Sequence, residues 1–295
     1  MIVAISTGLF FALRNILNKY IISNRMNPIS WFYLYTAISV ILFPIIIWSF
    51  TPIEFPSMNL WIYIMVSSIT GFVGGLIFIY ALTLGDVTTA MPILSSRPIF
   101  VLPMSFIFLN EFYGFGVAGW IMVIVLGAML TSWKEGMKVK DLAKNKALGL
   151  FLFTTFLWSI MDMATKPALQ QIDSFNFTSW WNLIQAPFLL IFIPFVFKEK
   201  EIKDLKKKWK PIFPYVLLEA MIFFASLITL FYAFKFSVSL SEALVATQGL
   251  FTVAIGFLIT RINPKIIAEK HSKRIYLLRL AGSILILIGI YQILV

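Results

Sequence analysis

Ten charge-poor stretches of helix length follow one another along the chain, at about 2–22, 30–50, 59–84, 87–109, 115–133, 147–168, 176–197, 211–234, 239–260 and 275–295. A bilayer core about 30 Å thick takes about 20 helical residues per crossing, so this succession is predicted to cross a membrane ten times and to leave no length for a soluble domain. Only 13% of the residues are charged and 60% are hydrophobic, which excludes a water-soluble fold. Runs such as Leu183 to Val196 do not alternate in polarity, which excludes a transmembrane barrel. The predicted class is all-α integral membrane, with about ten transmembrane helices and the lipid bilayer as surrounding partner.

The net charge of +11 does not signal nucleic acid, because nearly all the excess Lys and Arg lies in short linkers between apolar runs. Lys134, Lys138, Lys140, Lys144 and Lys146 follow the fifth run, Lys198 to Lys210 the seventh, and Arg261 to Arg274 the ninth, whereas linkers after runs two, four and six carry Glu54, Glu111 and Asp173. Basic loops stay on the cytoplasmic side. This places the odd-numbered linkers in the cytoplasm and both termini outside a cell membrane. Trp31, Trp48, Trp61, Trp133, Trp180 and Trp209 stand near run ends, as headgroup anchors do. The first run lacks a basic start and a cleavage site, so it reads as a retained helix. With no cysteine and a single His271 among basic residues, no metal centre and no cofactor are expected.

Shifted by about 147 to 152 positions, the second half of the chain repeats the first. Asn15, Asn18 and Lys19 fall against Asp162, Thr165 and Lys166; Trp31, Phe32 and Ala37 against Trp180, Trp181 and Ala186; and Ser96-Arg97-Pro98-Ile99-Phe100 against Thr247-Gln248-Gly249-Leu250-Phe251. The halves divide at 1–140 and 141–295. Because each holds an odd number of helices, the second enters the membrane from the opposite side, and such inverted repeats can exchange conformations about a midplane site. Gly71, Gly75, Gly119, Gly127, Gly282 and Gly289 are read as points of close helix packing.

The Asn15…Lys19 end of the first run, Tyr80-Ala81-Leu82 through Gly85, Ser95-Ser96-Arg97-Pro98-Ile99-Phe100 with Asn110-Glu111, and Gly119…Gly127 together resemble the drug/metabolite transporter superfamily, and within it the ten-helix EamA-like carriers. The resemblance spans the chain. It implies export or exchange of amino acids, other small metabolites or nucleotide sugars, driven by a proton gradient or by exchange, with a monomer or homodimer as the working unit. Two positions depart from the family pattern. Thr260-Arg261-Ile262 stands where the family often has a Glu like Glu111, and the charge count puts the termini opposite to where well-studied relatives mostly keep them.

Charged residues within such runs each cost on the order of 2.5–3.5 kcal/mol to insert, so they mark candidate sites. Arg97, before Pro98 in the fourth run, offers a planar fork of donors that holds a carboxylate or phosphate, or else pairs with Glu219 or Asp162. Its repeat counterpart Gln248 bonds either substrate or a neighbouring helix. Arg14, Asn15 and Asn18 lie within one turn of the first helix, where spacings of three and four put Asn15 and Asn18, or Arg14 and Asn18, on one face, and they are expected to line a cavity. Tyr80 and Trp158 are candidates to stack on a substrate, with Tyr232 in the matching place of the second half. Asp162 and Glu219 are candidate proton carriers, although Asp162 also stands four residues before Lys166, the spacing of an intrahelical ion pair. Glu242 is expected to meet the dipole at the start of the ninth helix, and Lys19 to snorkel. The expected function is alternating-access transport of a small polar metabolite, an amino acid or another anionic or zwitterionic compound. The competing readings are an intramembrane enzyme, for which no GxSxG or HExxH motif is found, and a channel or scaffold.

Overall fold

A computed structural model of the chain describes residues 2–24, 26–84, 93–131, 146–196, 199–262 and 273–294, and all regular structure among them is helical. The helices are α1 (Ile2–Asn24), α2 (Pro28–Phe50), α3 (Met58–Leu84), α4 (Pro98–Leu109), α5 (Phe115–Thr131), α6 (Lys146–Leu169), α7 (Ser174–Leu183), α8 (Ala186–Val196), α9 (Glu199–Phe234), α10 (Val238–Val245), α11 (Gln248–Ile262) and α12 (Lys273–Leu294). The chain is an all-α integral membrane protein of about ten transmembrane helices, arranged as two inverted five-helix repeats. Large apolar side chains such as Phe108, Leu190 and Leu277 are exposed on its outer faces, where lipid replaces a protein core. The expected boundary at 140/141, His271 and most of the basic linkers lie outside the described residues.

Three of the predicted runs are broken. The seventh divides into α7 and α8 at Ile184–Gln185, because Pro187 has no N–H to continue the ladder and disfavours helix in the residue before it. Gln185 N–H donates instead to Asn182 O at 2.9 Å in a tighter turn. The ninth divides into α10 and α11 at Ala246–Thr247, and in the fourth the turn Ser95–Arg97 precedes α4, with Pro98 as its first residue. Arg97, expected within a helix, thus stands at a helix boundary. One run is longer than expected. The Glu- and Lys-rich linker from Glu199 continues the eighth run as helix, giving α9 36 residues.

Packing follows the repeat. α3 lies along α6, and the counterparts α9 and α1 lie together in the same way; α4 meets α6 as α10 and α11 meet α1; α2 faces α7; and α5 pairs with α12. At the last pair, a Cβ added to Gly127 would lie 2.6 Å from Gly282 O and 2.9 Å from an Ile286 carbon, so the helices touch backbone to backbone there. Gly127→Val should therefore lower stability by about 1–3 kcal/mol, read as a lower melting temperature in detergent. Gly71 and Gly75, expected to serve the same purpose, make room for the rings of Trp181 and Phe32, and Gly119 has open space beside it. Trp31 is no headgroup anchor either: it is fully buried and donates its indole N–H to Asn18 Oδ1 at 2.6 Å.

Candidate functional site

Between the two halves lies a cavity of about 120 Å³, lined from α1, α2, α3, α6, α7, α9, α10, α11 and the turn before α4. Allowing about 10–15 Å³ per water by this measure, it holds about ten waters or one small metabolite. Among the described residues none that lines it comes from α5 or α12. The second and seventh runs, which hold none of the candidate residues named from the sequence, contribute Tyr35, Thr36 and Gln185. Gln185 reaches the cavity because the helix breaks there. Pro187, two residues on from an isolated amide in an apolar run, was the signal for it.

Two ion-paired groups face this space. In the first, Arg14 Nε donates to Glu219 Oε1 at 2.6 Å, Asn18 Nδ2 donates to the same oxygen at 3.4 Å, and the guanidinium sits 4.0 Å from the centre of the Phe223 ring. One cation meets one carboxylate, and the aromatic face adds cation–π attraction. In the second, Arg97 Nη2 donates to Asp162 Oδ1 and, at 3.1 Å, to Trp158 O, while Arg97 Nε lies 3.4 Å from Glu242 Oε2. Asp162 and Glu242 are buried, on α6 and α10. Here one cation faces two acids.

Of the residues singled out from the sequence, Arg14, Asn15, Asn18, Arg97, Trp158 and Gln248 line the cavity. Asp162 and Glu219 lie directly behind the two arginines. Tyr80 does not belong to this group: it is 45% exposed and outside the cavity, and Tyr232 is equally exposed, because both rings turn to the outer surface of their helices. The Asp162–Lys166 pair does not form, since each residue finds a partner beside α4, Arg97 in the turn before it and Glu111 just after it. Lys166 Nζ reaches Glu111 Oε1 and, at 3.2 Å, Phe236 O. Nor does Glu242 cap its helix, being in the second turn of α10; Ser237 is the cap, and Glu111 supplies the carboxylate, accepting from Val238 N–H at 3.0 Å and Ser239 N–H at 3.2 Å. The side chain of Lys19 lies outside the described residues.

The Glu111 cluster stands beyond the cavity, at the ends of α4 and α6. Burial pushes the Glu111 carboxyl up, but hydrogen bonds from Lys166, Val238 N–H and Tyr113 outweigh it and hold the group below the usual carboxylate range. Burial likewise raises the Tyr113 phenol, which stays a donor to Glu111 Oε2 at 2.8 Å.

A family model described as the EamA-like transporter family matches residues 1–133 and 145–268. The chain belongs to that family. It is a multi-pass membrane protein of the drug/metabolite transporter type. No curated protein matches it. A solved structure described only as "Crystal structure of protein" is similar, with a TM-score of 0.66 and 13% identity over 99% of this chain and 98% of that one. At that identity the likeness concerns the fold alone.

Proposed function

We propose that this EamA-family member is a secondary active transporter that moves a small polar metabolite, an amino acid foremost, by alternating access between its two halves. The observation that carries the reading is the buried, charge-lined cavity shared by both repeats, with α5 and α12 left to pair outside it. A buried charge that only joined helices would not need to border open space. Proton coupling is assigned to the Arg97–Asp162–Glu242 group, whose acids outnumber its base; the Arg14–Glu219 pair is balanced and holds α1 against α9. The basic odd-numbered linkers support an orientation in the cell membrane with those linkers in the cytoplasm and both termini outside.

Purified protein in proteoliposomes tests the reading. Saturable uptake with counterflow of a preloaded amino acid is the expected result, and rapid conductance that never saturates would replace the carrier by a channel. Asp162→Asn should flatten the pH dependence of the flux. A pH profile equal to that of the unaltered protein in both Asp162→Asn and Glu242→Gln would remove the proton from this group.

A further inference from the structure

Taking the cavity as the substrate site of the proposed carrier, we infer that its substrate bears a cationic amine and that Glu242 is the residue that binds it. The sequence points the other way, since a lone membrane arginine suggests a carboxylate or phosphate ligand. The geometry weighs against that ligand: Arg97 commits its Nη2 to Asp162 and the Trp158 carbonyl and holds its Nε, which makes no hydrogen bond, 3.4 Å from Glu242 Oε2, and Arg14 is committed to Glu219. Among the described residues no guanidinium facing the cavity is left without a carboxylate.

Asp162 Oδ2, Glu219 Oε2 and Glu242 Oε1 are all buried carboxylate oxygens without a hydrogen-bond partner among the described residues, and of these three residues Glu242 is the one that lines the cavity. It is 2% exposed, and its Oε2 is 3.4 Å from Arg97 Nε without a hydrogen bond. The charged groups that face it are Arg97, from the turn before α4, and Asp162, from α6; across the cavity stand Arg14 from α1, Glu219 from α9 and the Tyr35 phenol from α2. Among the described residues two guanidiniums therefore meet three carboxylates, which leaves one negative charge in surplus. A buried charge without a counter-charge is costly, so the surplus calls for a proton or an ammonium group. The rings of Phe11, Phe32, Phe72, Phe78, Trp158 and Phe223 face the same space, and their negative faces attract cations and not anions. Ser95 Oγ and Gln185 Nε2, both buried on the cavity wall and without partners among the described residues, are free to hydrogen-bond the uncharged or anionic end of the same molecule.

Proton and amine then compete for one carboxylate. An aliphatic amine stays protonated far above neutrality, so its binding should weaken as pH falls because the proton takes Glu242. The test is ligand-induced thermal stabilisation of the full chain in detergent. The probes are primary amines from butylamine to 2-phenylethylamine, the carboxylates of matching carbon skeleton, and phenylalanine, each from pH 8 to pH 5. Amines and phenylalanine should raise the melting temperature, with apparent affinity falling about tenfold across that range, and the plain carboxylates should not. Glu242→Gln should abolish both the amine effect and its pH dependence, whereas Glu242→Asp, which keeps the charge, should retain them. Stabilisation by carboxylates alone, no response to any amine, or an undiminished amine response in Glu242→Gln would each overturn the inference. These outcomes are separate from the carrier reading: absence of counterflow would remove that reading and leave the binding result standing, while anion-selective binding would do the reverse.

Discussion

Replacing Arg97 by alanine is expected to abolish transport, by about a hundredfold or more, and to lower the melting temperature by about 10 °C or more. The variant strands Asp162 and Glu242 together in the protein interior without the guanidinium that now lies between them. Removing one partner of a buried ion pair costs about 3–5 kcal/mol, and here two acids lose the same base. The stability and transport losses have different origins and can be separated. A triple variant, Arg97→Gln with Asp162→Asn and Glu242→Gln, keeps the volume of the two acid side chains and removes all three charges, so it should regain most of the stability. It should remain inactive, because the group that exchanges charge with the substrate is gone. Arg97→Lys is expected to fall between the two, since an ammonium preserves the charge but cannot span Asp162, the Trp158 carbonyl and Glu242 with a planar fork. Transport in the triple variant at the level of the unaltered protein would reduce the whole group to a structural one.

The sequence disclosed the helices and the repeat because hydrophobicity over twenty residues is a local property and an inverted duplication is written in register along the chain. It also disclosed some of the polar residues that line the cavity, Arg14, Asn15, Asn18, Arg97 and Gln248, since a polar group in an apolar run has few other places to go. Partners were a different matter. The spacing of Asp162 and Lys166 is that of an intrahelical pair, yet Asp162 turns to Arg97 and Lys166 to Glu111, each across more than fifty residues of chain. Competition among alternatives of similar local merit is decided by which helices become neighbours. Glu242 shows the same limit. Its place near a helix start suggests a dipole contact, but Glu111 from the other repeat occupies that position and frees Glu242 to face the cavity. The breaks at Ser95–Arg97, Ile184–Gln185 and Ala246–Thr247 were hidden because hydropathy averages over them, although Pro98 and Pro187 marked two of the three.

Glu111→Ala is expected to open the cavity on the side of the linkers that follow the even-numbered runs. Glu111 joins the first repeat to the second through Lys166 and through the backbone N–H groups of Val238 and Ser239. Ser237 Oγ adds a further bond at 3.1 Å, and Tyr113 bridges to the same serine. Hydrogen bonds to charged groups contribute about 1.5–3 kcal/mol each, so losing several at once should shift the population of the opened form by tenfold or more. The chain has no cysteine, which makes Ser95→Cys, on the cavity wall, a single reporter thiol. Its labelling by a membrane-impermeant reagent applied to that side should accelerate about tenfold in Glu111→Ala. Lys166→Met should give a smaller rise, because the carboxylate keeps its bonds to α10. The pH dependence has a definite sign. A carboxyl held below its ordinary value contributes stability that is complete above the unfolded value, about 4.3, and is lost as pH falls through the folded one. The difference in melting temperature between the unaltered chain and Glu111→Gln should therefore be constant from pH 7 to pH 5 and shrink only below about pH 4. Equal labelling rates in Glu111→Ala and its parent would leave Glu111 as a helix cap and place the closing contact elsewhere.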